Sequence, residues 1–237
     1  MTDKLMTDKF SAMPAFGTFT RRRLLGSLAL ISMAGALGAP AALAADAPIQ
    51  LTTEDQADLK RVAAYLDGIR SMSARFQQVA SGGALSFGKI YLRRPGLLRV
   101  EYEPPVPVLL VSDGTWVDYY DSDLDQLTQI PIDQTPIWFL VQQTIDFSPK
   151  ITVTAIERSP GAIRLSMYQT ANPDAGQASL TFADDPLVLK QWIIRDSRGT
   201  EVAIALQDAV FGAELPNDLF ATPQTRKMRG GGSGGKG

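Results

Sequence analysis

A chain of 237 residues with neither histidine nor cysteine has no disulfide, no thiolate metal site and no Ser-His-Asp arrangement open to it, and little zinc chemistry. Its 23 basic and 25 acidic side chains nearly balance, but residues 1–44 hold five of the former and two of the latter, so the remainder carries 18 against 23, a net of −5. That excess of acid argues against nucleic acid and against a polybasic membrane-surface protein.

In chain order, Arg21-Arg22-Arg23 precedes an apolar run from Leu24 to Leu43 that ends in Ala42-Leu43-Ala44. A basic stretch, an apolar stretch and a small-x-small site predict a cleaved export signal over 1–44. Gly26, Ser27, Gly35, Gly38 and Pro40 weaken the rival reading of a membrane anchor. Thr20 to Leu25 also resembles a twin-arginine signal, so the export route stays open between that and the general one. A single domain is expected over 45–225. Thr52-Thr53-Glu54-Asp55 supplies a cap and early acids, and Leu59, Val62, Ala63, Leu66 and Ile69 recur at helical spacing, which predicts one amphipathic helix running to Ile69-Arg70.

Beyond it, short segments rich in β-branched and aromatic residues follow one another, bounded by turn signals such as Gly82-Gly83, Pro95-Gly96, Asp113-Gly114 and Asp184-Asp185-Pro186. The spacing predicts an antiparallel meander of about eleven strands over 74–209, as in a sandwich or a barrel. Thr135 to Gln143 interrupts it as a short apolar helix, with Thr135 as cap and Pro136 at the first helical position. A curved sheet with one helix before it and another in its middle makes a mainly β protein, an unclosed half-barrel with a helical lid. The Gly-rich stretch 226–237 reads as a flexible tail.

The most informative stretch is Gly88-Lys-Ile-Tyr-Leu-Arg-Arg94-Pro95-Gly96-Leu-Leu98-Arg99-Val100-Glu-Tyr102-Glu-Pro104, with Asp113-Gly114 soon after. Pro95-Gly96 is a turn dipeptide, and beyond it Leu98, Val100 and Tyr102 alternate with Arg99, Glu101 and Glu103, as on a half-buried strand. Arg94 stands at the lip of the turn, where it can aim at carbonyls of a neighbouring segment. The stretch resembles the signature of the outer-membrane lipoprotein carrier (LolA) family. Two positions depart from that pattern: Leu98 and Val100 stand where the family has aromatic residues, which softens the mouth of the site.

The resemblance implies a half-barrel over about 55–215 whose apolar cavity takes the acyl chains of lipoproteins. Phe76, Phe87, Tyr91, Leu98, Val100, Tyr102, Trp116, Trp138 and Phe139 are the candidate cavity residues. Arg94 falls at the family's lid latch, an arginine that holds the lid shut through backbone carbonyls. Also implied are a periplasmic location and three kinds of partner: acylated lipoproteins as cargo, an inner-membrane ABC exporter and an outer-membrane receptor. The expected carrier is a monomer without a cofactor. A lipid-sensing or small apolar-ligand-binding protein of the same fold is the alternative.

Two other readings weigh less. Asp121-Ser-Asp123-Leu-Asp125 begins like a calcium loop, but Gln126 and Ile132 stand where such a loop needs Gly and Glu, so an acidic hairpin tip is expected. Glu101, Glu103, Asp113 and Asp118 belong to turns or to the outer faces of strands, and nothing in their spacing forms a nucleophile, a base and an oxyanion site. No enzyme is expected.

Overall fold

Thr52 starts the first helix of the computed structural model, which describes residues 46–222. Its hydroxyl accepts from the Asp55 N–H at 3.1 Å while the Asp55 carboxylate accepts from the Thr52 N–H at 2.9 Å. This reciprocal box satisfies amides that the helix end would otherwise strand. Helix α1 (Thr53–Gly68) buries Leu59, Val62 and Leu66, and stops just short of the expected Ile69-Arg70. The expected export signal over 1–44 and the Gly-rich tail over 226–237 lie outside the described residues.

Eleven strands follow: β1 (Ser71–Ala80), β2 (Leu85–Arg93), β3 (Leu97–Tyr102), β4 (Val108–Asp113), β5 (Trp116–Asp121), β6 (Gln126–Pro131), β7 (Ile151–Ser159), β8 (Ala162–Gln169), β9 (Gln177–Ala183), β10 (Val188–Arg195) and β11 (Glu201–Phe211). They form one antiparallel sheet in the order β6-β5-β4-β3-β2-β1-β11-β10-β9-β8-β7. The two meanders join where β11 returns to β1, from Ala80 opposite Val202 to Met72 opposite Phe211, with an irregularity between Ser73 and Arg75. β6 and β7 remain the edges, so the sheet is an unclosed barrel, as the sequence predicts.

Alternation sets the faces. In β1, Met72, Ala74, Phe76 and Gln78 are buried while Arg75 and Val79 are exposed, and in β2 Ile90 and Leu92 are buried while Phe87 and Lys89 are exposed. A single cluster holds Leu92 and Leu98 of one wing together with Leu165, Leu180 and Trp192 of the other, so the sheet curls around a shared core. The convex side is partly covered as well. The stretch 213–222 runs back across β2–β4: Arg93 donates to the Leu215 carbonyl and the Asn217 side chain and stacks 5.2 Å over the Phe220 ring, and Arg99 donates to the Leu219 carbonyl at 3.3 Å.

The segment between β6 and β7 carries the chain from one sheet edge to the other. It holds a 3-10 turn (Ile132–Gln134) and α2 (Trp138–Val141). The expected helix over 135–143 shrinks because Thr135 does not cap it; its hydroxyl donates instead to the Ile132 carbonyl at 2.7 Å, closing the preceding turn.

Candidate functional site

The apolar residues of α2 face inward: Trp138, Phe139, Leu140 and Val141 are all buried in the shared core. What holds this crossover in place is the turn between β2 and β3. Gly96, at φ +87°, has no room for a side chain, since a Cβ there would sit 2.9 Å from the Asp113 carbonyl and 3.1 Å from the Gly114 Cα. The bare turn lets its own N–H donate to the Val141 carbonyl at 2.9 Å.

Arg94 does the rest. Only 8% exposed, it donates from Nε to the Leu140 carbonyl at 2.8 Å and from one terminal nitrogen to the Leu66 carbonyl at 2.6 Å. Both acceptors lie in the last turns of helices; the Leu66 carbonyl also takes the capping N–H of Ile69 at 3.1 Å, and Arg94 fills its second lone pair. One planar, permanently charged group thus ties the end of α1, the end of α2 and the β2–β3 turn together. Burial pulls the guanidinium below its ordinary value, and the Asp67 carboxylate works the other way. Asp67 also accepts from the Ile145 N–H at 2.8 Å, a further tie between α1 and the crossover. A cleft of about 300 Å³, lined by Trp138, Gln142, Pro149, Lys150, Gln169 and Thr170, marks the seam between α2 and the β7–β8 wing.

Of the aromatic and aliphatic residues singled out by sequence, Phe76, Leu98, Val100, Tyr102, Trp138 and Phe139 come together on or against the concave face. Phe76 and Tyr102 meet edge to face at 5.2 Å over Gly88, whose missing side chain makes the room: a Cβ there would lie 2.6 Å from the Phe76 ring. The Tyr102 hydroxyl donates to Gln78 Oε1 at 2.6 Å, and burial raises its pKa. Phe87, Tyr91 and Trp116 do not join them. Phe87 pairs with Gln77, Tyr91 with Arg99 and Trp116 with Pro131, all on the convex side, where Phe87 and Trp116 are 41% and 39% exposed. Their parity relative to Ile90, Leu92 and Val117 is the signal that places them; size alone misassigns them.

The acidic residues settle into local turns and pairs. Asp121 accepts from the Asp123 and Leu124 N–H groups, and Tyr120 donates to Asp125, which makes 121–125 a hairpin tip. Glu101 pairs with Arg99 at 3.2 Å and Glu103 with Arg75 at 3.7 Å. Asp113 accepts from Thr115 and Trp116 amides within its turn, and Asp118 accepts from Gln129. Among the described residues, no three His, Cys, Asp or Glu side chains gather as metal ligands would. The concave face therefore offers apolar contact, with few polar atoms, under a crossover that buries its own apolar side chains and is tied at its ends by hydrogen bonds, most of them to backbone carbonyls.

The family described as "Outer membrane lipoprotein carrier protein LolA" matches residues 67–223. An outer-membrane lipoprotein carrier protein of Chromohalobacter salexigens is 30% identical over 76% of this chain and 89% of its own length. An uncharacterized protein of Rickettsia prowazekii is 26% identical over 45% of this chain, which spans half of that relative. The solved structure of a LolA superfamily protein from Nitrosomonas europaea aligns over 70% of this chain and 98% of its own, at 10% identity and a TM-score of 0.42. With its family match spanning β1 to the end of the described chain, the protein belongs to the outer membrane lipoprotein carrier protein LolA family.

Proposed function

We propose that this protein is a periplasmic carrier that takes the acyl chains of lipoproteins onto its concave face and conveys them from the inner to the outer membrane. The observation that carries this reading is the Arg94 tie across α1 and α2, which closes an apolar face with contacts that can be undone without unfolding the sheet. The physical need is plain. Burying a methylene is worth about 0.8 kcal/mol, so a chain of some fifteen resists water by ~12 kcal/mol. A useful carrier must offer that burial without holding its cargo permanently. A lid that recloses over its own core competes with the ligand and keeps the affinity intermediate.

In this reading residues 1–44 are a cleaved export signal, 45–225 the carrier domain and 226–237 a flexible tail. The donor is an inner-membrane ABC exporter, the acceptor an outer-membrane receptor, and the carrier itself performs no chemistry. Among the described residues no helix is long and apolar enough to cross a membrane. The test is a release assay. Spheroplasts making a labelled outer-membrane lipoprotein are incubated with the purified protein, and the soluble fraction is probed for a complex. Lipoprotein recovered there in stoichiometric amount is the expected result. A folded protein that releases none, yet yields a small lipid on organic extraction, would replace the carrier with a small apolar-ligand binder of the same fold.

A further inference from the structure

Two donor nitrogens are stranded on the apolar concave face. The Gln78 side chain is 2% exposed, its oxygen is taken by the Tyr102 hydroxyl, and its amide nitrogen has no acceptor among the described residues. Trp192 is likewise 2% exposed, and its indole nitrogen, which can only donate, has none either. The register places both in one cross-strand row: Gln78 lies opposite Ile204, and Ile204 opposite Trp192. One strand separates them, so they stand on the order of 10 Å apart. Buried donors are normally paired, and leaving one unmade is costly. A surface evolved for hydrocarbon alone would be served better by Leu and Phe at these positions.

The rest of the row narrows what could pair with them. It runs Ser86, Gln78, Ile204, Trp192, Leu180, Leu165, Ile156 and carries no charge. An anionic acceptor would be buried there without a cation, which is strongly unfavourable. A neutral acceptor that travels with an acyl chain is the carbonyl oxygen of the bond attaching it. We propose that Gln78 and Trp192 read the carbonyl oxygens of ester- or amide-linked acyl chains, so that the protein selects acylated molecules over hydrocarbon of equal length. This rests on the acyl-chain reading of the concave face.

The test compares two probes on the intact protein: a diacylglycerol with two sixteen-carbon ester-linked chains, and the dialkyl glycerol with the same chains in ether linkage. Each competes against a fluorescent fatty-chain reporter. The ester is expected to bind about tenfold more tightly than the ether. Gln78→Met and Trp192→Phe, each checked for native circular dichroism, should each shrink that ester-to-ether ratio roughly threefold, whatever change they make in the affinity common to both lipids. Equal binding of ester and ether by the wild type overturns the proposal and leaves the acyl carrier standing; this comparison needs no variant. A preference that survives both substitutions also overturns it. If neither lipid displaces the reporter, the acyl-chain reading falls, and this proposal with it.

Discussion

Arg94 makes the strongest residue-scale argument, because one buried guanidinium donates to two backbone carbonyls on different helices. In Arg94→Leu both lose a charge-assisted partner, and a lowering of stability by about 3 kcal/mol is expected, read as a fall in the urea midpoint. The functional consequence follows from linkage: weakening the closed empty state removes a competitor of the ligand, so the variant should hold lipoprotein longer and pass it on more slowly. Equal transfer by variant and wild type would show that Arg94 is structural only. Gly88→Ala tests the packing of Phe76 against Tyr102 at the other end of β2. A Cβ at that position would lie 2.3 Å from the Glu101 carbonyl and 2.6 Å from the Phe76 ring, so a loss of about 1–3 kcal/mol is expected, again from the urea midpoint. How legible these residues are in the sequence differs. Arg94 is legible from its place beside a Pro-Gly turn together with the family resemblance, whereas size alone groups Phe87, Tyr91 and Trp116 with residues of the opposite parity. Gln78 is not legible at all, because a lone glutamine in a strand reads as surface until its neighbours bury it.

At the scale of elements, α1 is held at both ends by different chemistry. Its C-terminal turn gives the Leu66 carbonyl to Arg94; its N-terminal turn is clamped ionically to the far wing. Arg158 of β7 reaches Asp55 at 2.7 Å and Asp58 at 2.8 Å, and Arg61 pairs with Asp58 at 3.0 Å and with Asp184 beyond β9. The Arg158 guanidinium, with help from the Thr52 amide and hydroxyl, holds the Asp55 carboxyl at about 2, below its ordinary 3.8. A depressed carboxyl stabilises the fold above its unfolded value and loses that contribution as pH falls through the folded one. Stability should therefore drop between about pH 4 and pH 2, and Asp55→Asn should flatten that part of the urea-midpoint curve; an unchanged acid limb would assign it to other carboxylates. The helix itself was readable, since cap, early acids and apolar spacing all agree. Its partners were not: Arg158 lies more than a hundred positions away, and no local pattern announces such a pairing. Thr135 shows the opposite failure, a good capping residue whose hydroxyl was claimed by a nearer carbonyl.

For the whole molecule, the deciding feature is that β1 pairs with β11 while β6 and β7 do not pair with each other. The eleven strands could be read from alternation and turns, but this closure could not, because it joins segments far apart in the chain without a linking turn. It leaves two wings on a common seam, with 132–150 as the chain's own bridge between their free edges. The seam strands are bonded along both sides. Apart from its buried apolar side chains, the bridge is held to its surroundings by scattered hydrogen bonds: Ile132 on the Thr115 carbonyl and Thr170 on the Lys150 carbonyl at its ends, and between them the Gly96 amide on Val141, Arg94 on Leu140, Asp67 on Ile145 and Asn172 on the Asp133 carbonyl. Local opening should follow that difference, since sparsely bonded segments open well below the global unfolding free energy. Amide hydrogen exchange is the measurement. In the empty protein, 138–147 should exchange faster than β1, β2 and β11; with an acyl ligand bound, the Gly96 and Ile145 amides should exchange faster still, while the seam stays protected. Loss of protection along β1 and β11 on binding would mean that the wings spread apart at their seam, and that the bridge is not the moving part.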